Sequence, residues 1–115
     1  MNPASVVAIF CGSREWTDRE RIRRDLESLP PGSIVIEGGA RGADRIAREE
    51  ACALGIHVAT MPALWDFHGK SAGYRRNEAM ARLEPDYCYA YPLDGPGTRH
   101  MIRIAEEHCI QVREP

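Results

Sequence analysis

Glu37-Gly38-Gly39-Ala40-Arg41-Gly42-Ala43-Asp44 packs three glycines, one arginine and two carboxylates into eight residues. A β-branched run, Ile34-Val35-Ile36, precedes it, and Ala43, Ile46, Ala47, Ala51 and Leu54 follow at spacings of three and four. That pattern is a buried strand entering a helix through a glycine turn. Glycine there allows positive φ and lets a ligand approach without meeting a Cβ. The helix beyond aims its unpaired N–H groups and positive dipole end at the turn, the geometry of a phosphate cradle. The spacing is neither G-x-G-x-x-G nor Walker A, and a tight connection without a ligand has the same pattern.

Other stretches repeat the theme. Gly12-Ser13-Arg14 ends the apolar run from Val6 to Phe10, offering a turn, a hydroxyl and a bidentate donor. Met61 to Ala72 is long for a strand-to-helix loop and holds Trp65, Asp66, Phe67, His68, Gly69 and Lys70. Gly73 opens the next helix, with Tyr74, Arg75, Arg76 and Asn77 in its first turns. Arginines at that end oppose the helix dipole, a cost that an anion would offset. Asp94-Gly95-Pro96-Gly97-Thr98 is a further glycine turn, with Thr98 read as the cap of the last helix.

The positioning elements follow from the rhythm of the chain. Strands are expected at Val6–Phe10, Ile34–Ile36, Ile56–Thr60, Tyr87–Tyr91 and Ile110–Val112. Between them run helical patterns. Thr17 and Glu20 match a capping box, followed by a face of Ile22, Leu26 and Leu29. Gly55 closes the second helix, Met80 and Leu83 face the core from the third, and Met101, Ile102, Ala105 and Cys109 mark the last. Alternating strands and helices at this spacing predict a single α/β, Rossmann-like, doubly wound domain. Its sheet is expected to be parallel and five-stranded, in the order 3-2-1-4-5. All strand-to-helix loops then meet at the carboxyl edge of the sheet, where such folds bind ligands.

Composition bounds the function. The chain has 115 residues, 43% apolar and 28% charged, with a formal net charge of −2. That is ordinary for one globular domain and disfavours a nucleic-acid or anionic-membrane coat. No apolar run approaches the roughly 20 residues of a membrane span. Met1-Asn2-Pro3-Ala4 has no basic region of a signal peptide. Cys11, Cys52, Cys88 and Cys109 show no metal-ligand spacing and are expected as buried, reduced thiols of a cytoplasmic protein; no metal is expected. Against this near-neutral background, Arg14, Arg41, Lys70, Arg75, Arg76 and Arg99 gather at the predicted edge with Glu37, Asp44, Asp66 and Asp94. The combination points to a phosphate-bearing, nucleotide-like ligand. Gly38–Gly42 and Gly95–Thr98 would hold phosphate on helix N-termini, and Arg14, Lys70 and Arg76 would neutralise it. Trp65 or Tyr74 would stack on a base, Glu37 or Asp94 would accept from ribose or base, and Asn77 would hold the ligand or the loop. No further cofactor is required.

Gly12-Ser13-Arg14, Gly38 to Asp44, and Trp65 through Gly69-Lys70-Ser71-Ala72-Gly73 to Arg76-Asn77 resemble the YspA, cpYpsA-related branch of the SLOG superfamily. That superfamily is named for the DNA-processing A and lonely-guy proteins. The resemblance runs from Val6 to Val112 and implies a Rossmann-like fold, a pocket for nucleotides or their derivatives, a sensing or nucleotide-processing role, and self-association as a homodimer. The lonely-guy relatives are phosphoribohydrolases with Arg-Lys-x-x-Met followed by Pro-Gly-Gly-x-Gly-Thr-x-x-Glu. Arg76, Met80, Gly95, Gly97 and Thr98 match, but Asn77 replaces the lysine, Asp94 the first glycine and Met101 the glutamate. A glycosidic transition state of oxocarbenium character needs a carboxylate beside it. Asp94, Asp66 or Glu37 would have to substitute, so no catalytic residue is assigned. The readings that remain are a nucleotide-ligand binder, an N-glycoside hydrolase on nucleoside monophosphates, and a single-strand DNA binder. Size and charge disfavour the last.

Overall fold

The computed structural model describes residues 4–93 and 95–115. The element order is β1 (Val7–Gly12), α1 (Arg19–Glu27), β2 (Ile34–Glu37), α2 (Ala43–Ala53), β3 (His57–Thr60), α3 (Trp65–His68), α4 (Ala72–Ala81), β4 (Tyr87–Tyr91), α5 (Pro96–Glu107) and β5 (Gln111–Arg113), with a 3₁₀ turn at Gly69–Ser71 before α4. All four strand pairings are parallel, and the five-stranded sheet has the order β3-β2-β1-β4-β5. This is the expected doubly wound α/β arrangement. The order reverses between β1 and β4, so their carboxyl ends flank the switch point.

Side-chain alternation along β1 builds a core on each face. Ala8 and Phe10 join Ile22 and Leu26 of α1 and Ile46, Ala47 and Ala51 of α2. Ile9 and Cys11 point the other way, to Met80 and Ala81 of α4 and Met101, Ile104 and Ala105 of α5. A central strand covered on both faces therefore reads as an unbroken apolar run. On the first face Phe10 stacks on Tyr89 with ring centroids 4.6 Å apart, and the Tyr91 hydroxyl donates to Asp25 Oδ2 at 2.6 Å.

Several local expectations shift. The first helix is capped by Asp18 rather than Thr17: Asp18 Oδ1 accepts from Arg21 N at 3.1 Å. An aspartate one residue on presents the same acceptor to the same orphan amides, so the cap moves with it. Thr98 is not a cap either, because Gly95 precedes a helix that begins with Pro96. Proline at the first helical position has its φ already set and lacks only an N–H that would be unpaired anyway. The segment expected as a long loop is largely helical, and α4 starts at Ala72, one residue before Gly73. Leu83 lies past the end of α4 and is exposed. Cys52 and Cys109 are exposed too, leaving Cys11 and Cys88 as the buried thiols.

Gly42 shows how tightly the loops are seated. Its φ is +77°, and a Cβ there would lie 2.4 Å from Ser13 O and 2.5 Å from Arg14 C. Gly55, at the end of α2, has a similar φ of +74° but no neighbouring atom within 4 Å. Gly55→Ala should therefore cost only backbone strain, about 1 kcal/mol. Gly42→Ala adds a clash with backbone and should cost about 2 kcal/mol or more. Urea unfolding of the two variants measures the difference; equal costs would show that the loop after β1 yields freely.

Candidate functional site

The strand-to-helix turns converge on a cleft of about 450 Å³. This lies within the range of small-ligand sites. Its walls come from β1 and its loop (Cys11, Gly12, Ser13, Arg14), from the segment before α4 (Trp65, Lys70), from α4 (Arg76, Asn77) and from the start of α5 (Gly95, Gly97, Thr98). Ala40 and Asp44 represent the glycine-rich turn. The cleft thus assembles Gly12, Ser13, Arg14, Ala40, Asp44, Trp65, Lys70, Arg76, Asn77, Gly95, Gly97 and Thr98 of the candidate residues. Asp94 lies outside the described residues.

The Gly38–Gly42 turn differs from an open cradle. Three of its five amides already have acceptors from the chain itself. Gly38 N and Ala40 N donate to Asp44 Oδ2 at 3.1 and 3.3 Å, and Gly39 N donates to Glu37 Oε1 at 2.6 Å. Glu37 is fully buried, and its other oxygen accepts from the Thr60 hydroxyl. Arg41 turns outward, pairing with Glu15 at 2.7 Å on the surface. Glu37, Gly38, Gly39, Arg41 and Gly42 do not line the cleft.

Arg76 braces the same turn. Its Nη1 donates to Gly38 O at 2.7 Å, and its Nε donates to Asn77 Oδ1 at 3.0 Å. A Cβ on Gly38 would sit 2.2 Å from Arg76 Nη1, so only glycine leaves room for the guanidinium. Asn77 is buried, and its side-chain amide bonds His100 Nδ1 at 3.1 Å. It therefore ties α4 to α5 as well as to Arg76. Burial, with Arg103 nearby, pulls the His100 pKa down and favours a neutral ring whose Nδ1 accepts from Asn77.

The α5 end is different. Gly42 before α2 and Gly95 before α5 both lack a side-chain cap among the described residues, but at α2 the Ala43 N–H donates to Ser13 O at 3.1 Å. The α5 N-terminus presents N–H groups and a positive dipole to whatever occupies the cleft. Arg14 and Lys70 are exposed beside it and, unlike Arg41, make no ion pair among the described residues. Trp65 is half exposed and packs its ring edge over Gly73, supplying an aromatic wall. Met101 lies at the cleft, 1% exposed, where a glycosidase of the lonely-guy type would need its carboxylate. Of the carboxylates considered as substitutes, Glu37 is consumed internally and Asp66 does not line the cleft. The described carboxylates that do line it are Asp44 and Glu15.

Sequence reasoning did not select Cys11, Pro96 or His100. Cys11 carried a legible signal, since it alternates with Phe10 on a strand buried on both faces. The Cys11 and Cys88 sulfurs lie 3.8 Å apart, and this contact together with burial raises the Cys11 pKa well above its ordinary value. That thiol is therefore a poor nucleophile.

Burial pushes the Asp44 pKa up to about 6, against the pull of Ala40 N–H and Arg76. The folded chain thus holds this proton more tightly than the unfolded one. Asp44 makes stability fall as pH rises from about 4 to about 6, by about 3 kcal/mol in all. Asp44→Asn keeps an acceptor for the turn amides and should flatten that part of the stability profile. Urea unfolding across this window measures the slope; a slope unchanged by the substitution would show an ordinary carboxylate.

Comparison with known proteins follows the same residues. The model of the YspA, cpYpsA-related SLOG family matches residues 6–68, from β1 through α3. The chain is also similar to the Gene 61 protein of Mycobacterium phage D29, 40% identical over 116 aligned positions that cover 90% of this chain and 91% of that protein. No solved structure gives a significant match. The chain belongs to the YspA, cpYpsA-related SLOG family, a family linked to nucleotide-derived ligands.

Proposed function

We propose that the protein binds a nucleotide or nucleotide-derived, phosphate-bearing small molecule in this cleft, as a sensor or carrier of that ligand. One observation carries the reading. The start of α5, which has no side-chain cap among the described residues, faces the same 450 Å³ cleft as Arg14, Lys70 and Trp65. Amides and cations there suit a phosphate, and the indole suits a base. The phosphate would sit on Gly95–Thr98, since the turn after β2 spends three of its amides on Asp44 and Glu37. Arg76 would act through that turn, holding Gly38 in place, rather than as the leading phosphate contact.

The thioether of Met101 can neither stabilise an oxocarbenium ion nor handle a proton. Binding without turnover is the reading this supports. Titration calorimetry with the four common nucleoside 5′-monophosphates tests it. Arg14→Ala and Lys70→Ala should each weaken the best monophosphate by about tenfold, the loss of one charge-assisted contact, while its nucleoside is unaffected. Equal weakening of both compounds would show that these cations do not read phosphate. Long incubations followed by chromatography should release no more than traces of free base. Release at an ordinary enzymatic rate would make the protein a hydrolase.

A further inference from the structure

A second, shallower groove adjoins the cleft. It is lined by Tyr74, Gly95, Pro96, Arg99, His100 and Arg103, and it shares Tyr74, Gly95 and Pro96 with the first. The two form one continuous surface around the start of α5. The Tyr74 and His100 rings pack against each other, tilted by 34° with centroids 4.2 Å apart, and give the groove an aromatic wall between α4 and α5. Asn77 fixes that wall from behind through its bond to His100.

The charges in the groove are unbalanced. Arg99 and Arg103 stand one helical turn apart on the exposed side of α5. Neither makes an ion pair with a described residue. Some arginines are paired, Arg19 with Glu49 and Glu50, Arg23 with Glu50, Arg21 with Asp25 and Arg82 with Glu78, whereas Arg99 and Arg103 share one groove with no carboxylate among its described lining residues. The carboxylates that act on His100, Glu78 and Glu107, do not line the groove. Two guanidinium groups without an ion-pair partner among the described residues, at the open end of a ligand cleft, suit a second anion.

We infer that Arg99 and Arg103 form a second anion subsite, so that the ligand is a nucleotide bearing two separated anionic groups. This rests on the reading that the first cleft takes a nucleotide phosphate. The rise from Gly97 to Arg103 is about 9 Å along α5. A phosphate held on the Gly97 amide leaves the Arg103 end of the groove to a second anion. A second phosphate across a ribose, or in the next nucleotide of a linked pair, has the reach.

The probes are the four nucleoside 3′,5′-bisphosphates and the corresponding 5′-monophosphates, titrated into the full chain and into the Arg99→Gln/Arg103→Gln double variant. Circular dichroism verifies that the variant folds; both positions are exposed helix-surface sites. A bisphosphate should bind the unaltered protein about tenfold or more tightly than its monophosphate. The double variant should lose that advantage and keep its monophosphate affinity within about twofold. Monophosphate binding with no gain for the bisphosphate, or a gain that survives the substitutions, overturns the subsite alone. Failure of every compound to bind overturns the nucleotide reading and the subsite with it.

Discussion

The two carboxylates folded back into the turn after β2 are the constraint on which the site depends. Asp44, in the first turn of α2, reaches Gly38 N and Ala40 N, and Glu37 reaches Gly39 N. The Gly38 amide is buried and, left unpaired, would cost about 1–3 kcal/mol. Satisfying it draws Asp44 out of water, which is why its proton is held so firmly. The arrangement also places Arg76. Its guanidinium lies where a Cβ of Gly38 would be and bonds the Gly38 carbonyl, so α4 is pinned to the β2 edge. Asn77 passes the connection to His100 on α5.

The turns at the carboxyl edge accordingly divide their work. The turn after β2 is closed on itself and gives rigidity. The loop after β1 is locked between its neighbours: Ser13 N donates to Tyr91 O at 3.0 Å, and Ala43 N donates to Ser13 O at 3.1 Å. The turn before α5 has no side-chain cap among the described residues, and the exposed cations Arg14 and Lys70 stand beside it. A site is better organised when the groups that meet the ligand are held by others that do not. Cys11 and Met101 complete a largely apolar floor beneath those polar groups.

Much of this was legible in the sequence because the signals were periodic. The run from Val6 to Phe10, the short β-branched strand before Glu37, and the spacing of Met101 and Ala105 fix strands, helices and a parallel sheet. The carboxyl-edge rule then gathers Gly12–Arg14, Lys70, Arg76 and Gly95–Thr98 from the sequence alone. What remained hidden depended on side-chain direction. A glycine turn that closes on its own carboxylates has the same composition as one that opens to phosphate, and nothing local distinguishes Asp44 as cap from Asp44 as ligand contact. The choice between Thr17 and Asp18 as helix cap turned on a single residue of register. Cys109 fell on the apolar spacing of α5, but the helix ends at Glu107 and Cys109 takes φ +58° beyond it. The groove of Arg99, His100 and Arg103 joins α5 to Tyr74 of α4, a juxtaposition that only the packed helices create.

Backbone amide chemical shifts test most directly whether the turn before α5, and not the closed turn after β2, receives the phosphate. Isotope-labelled protein titrated with the tightest-binding nucleoside 5′-monophosphate, with its nucleoside as the control, isolates the phosphate's effect. The phosphate-dependent shifts should centre on the amides of Gly95, Gly97, Thr98 and Arg14, with Gly38, Gly39 and Ala40 little changed because Asp44 and Glu37 keep them. Shifts concentrated on Gly38 to Gly42 would mean that ligand displaces those carboxylates and that the turn after β2 is the phosphate site.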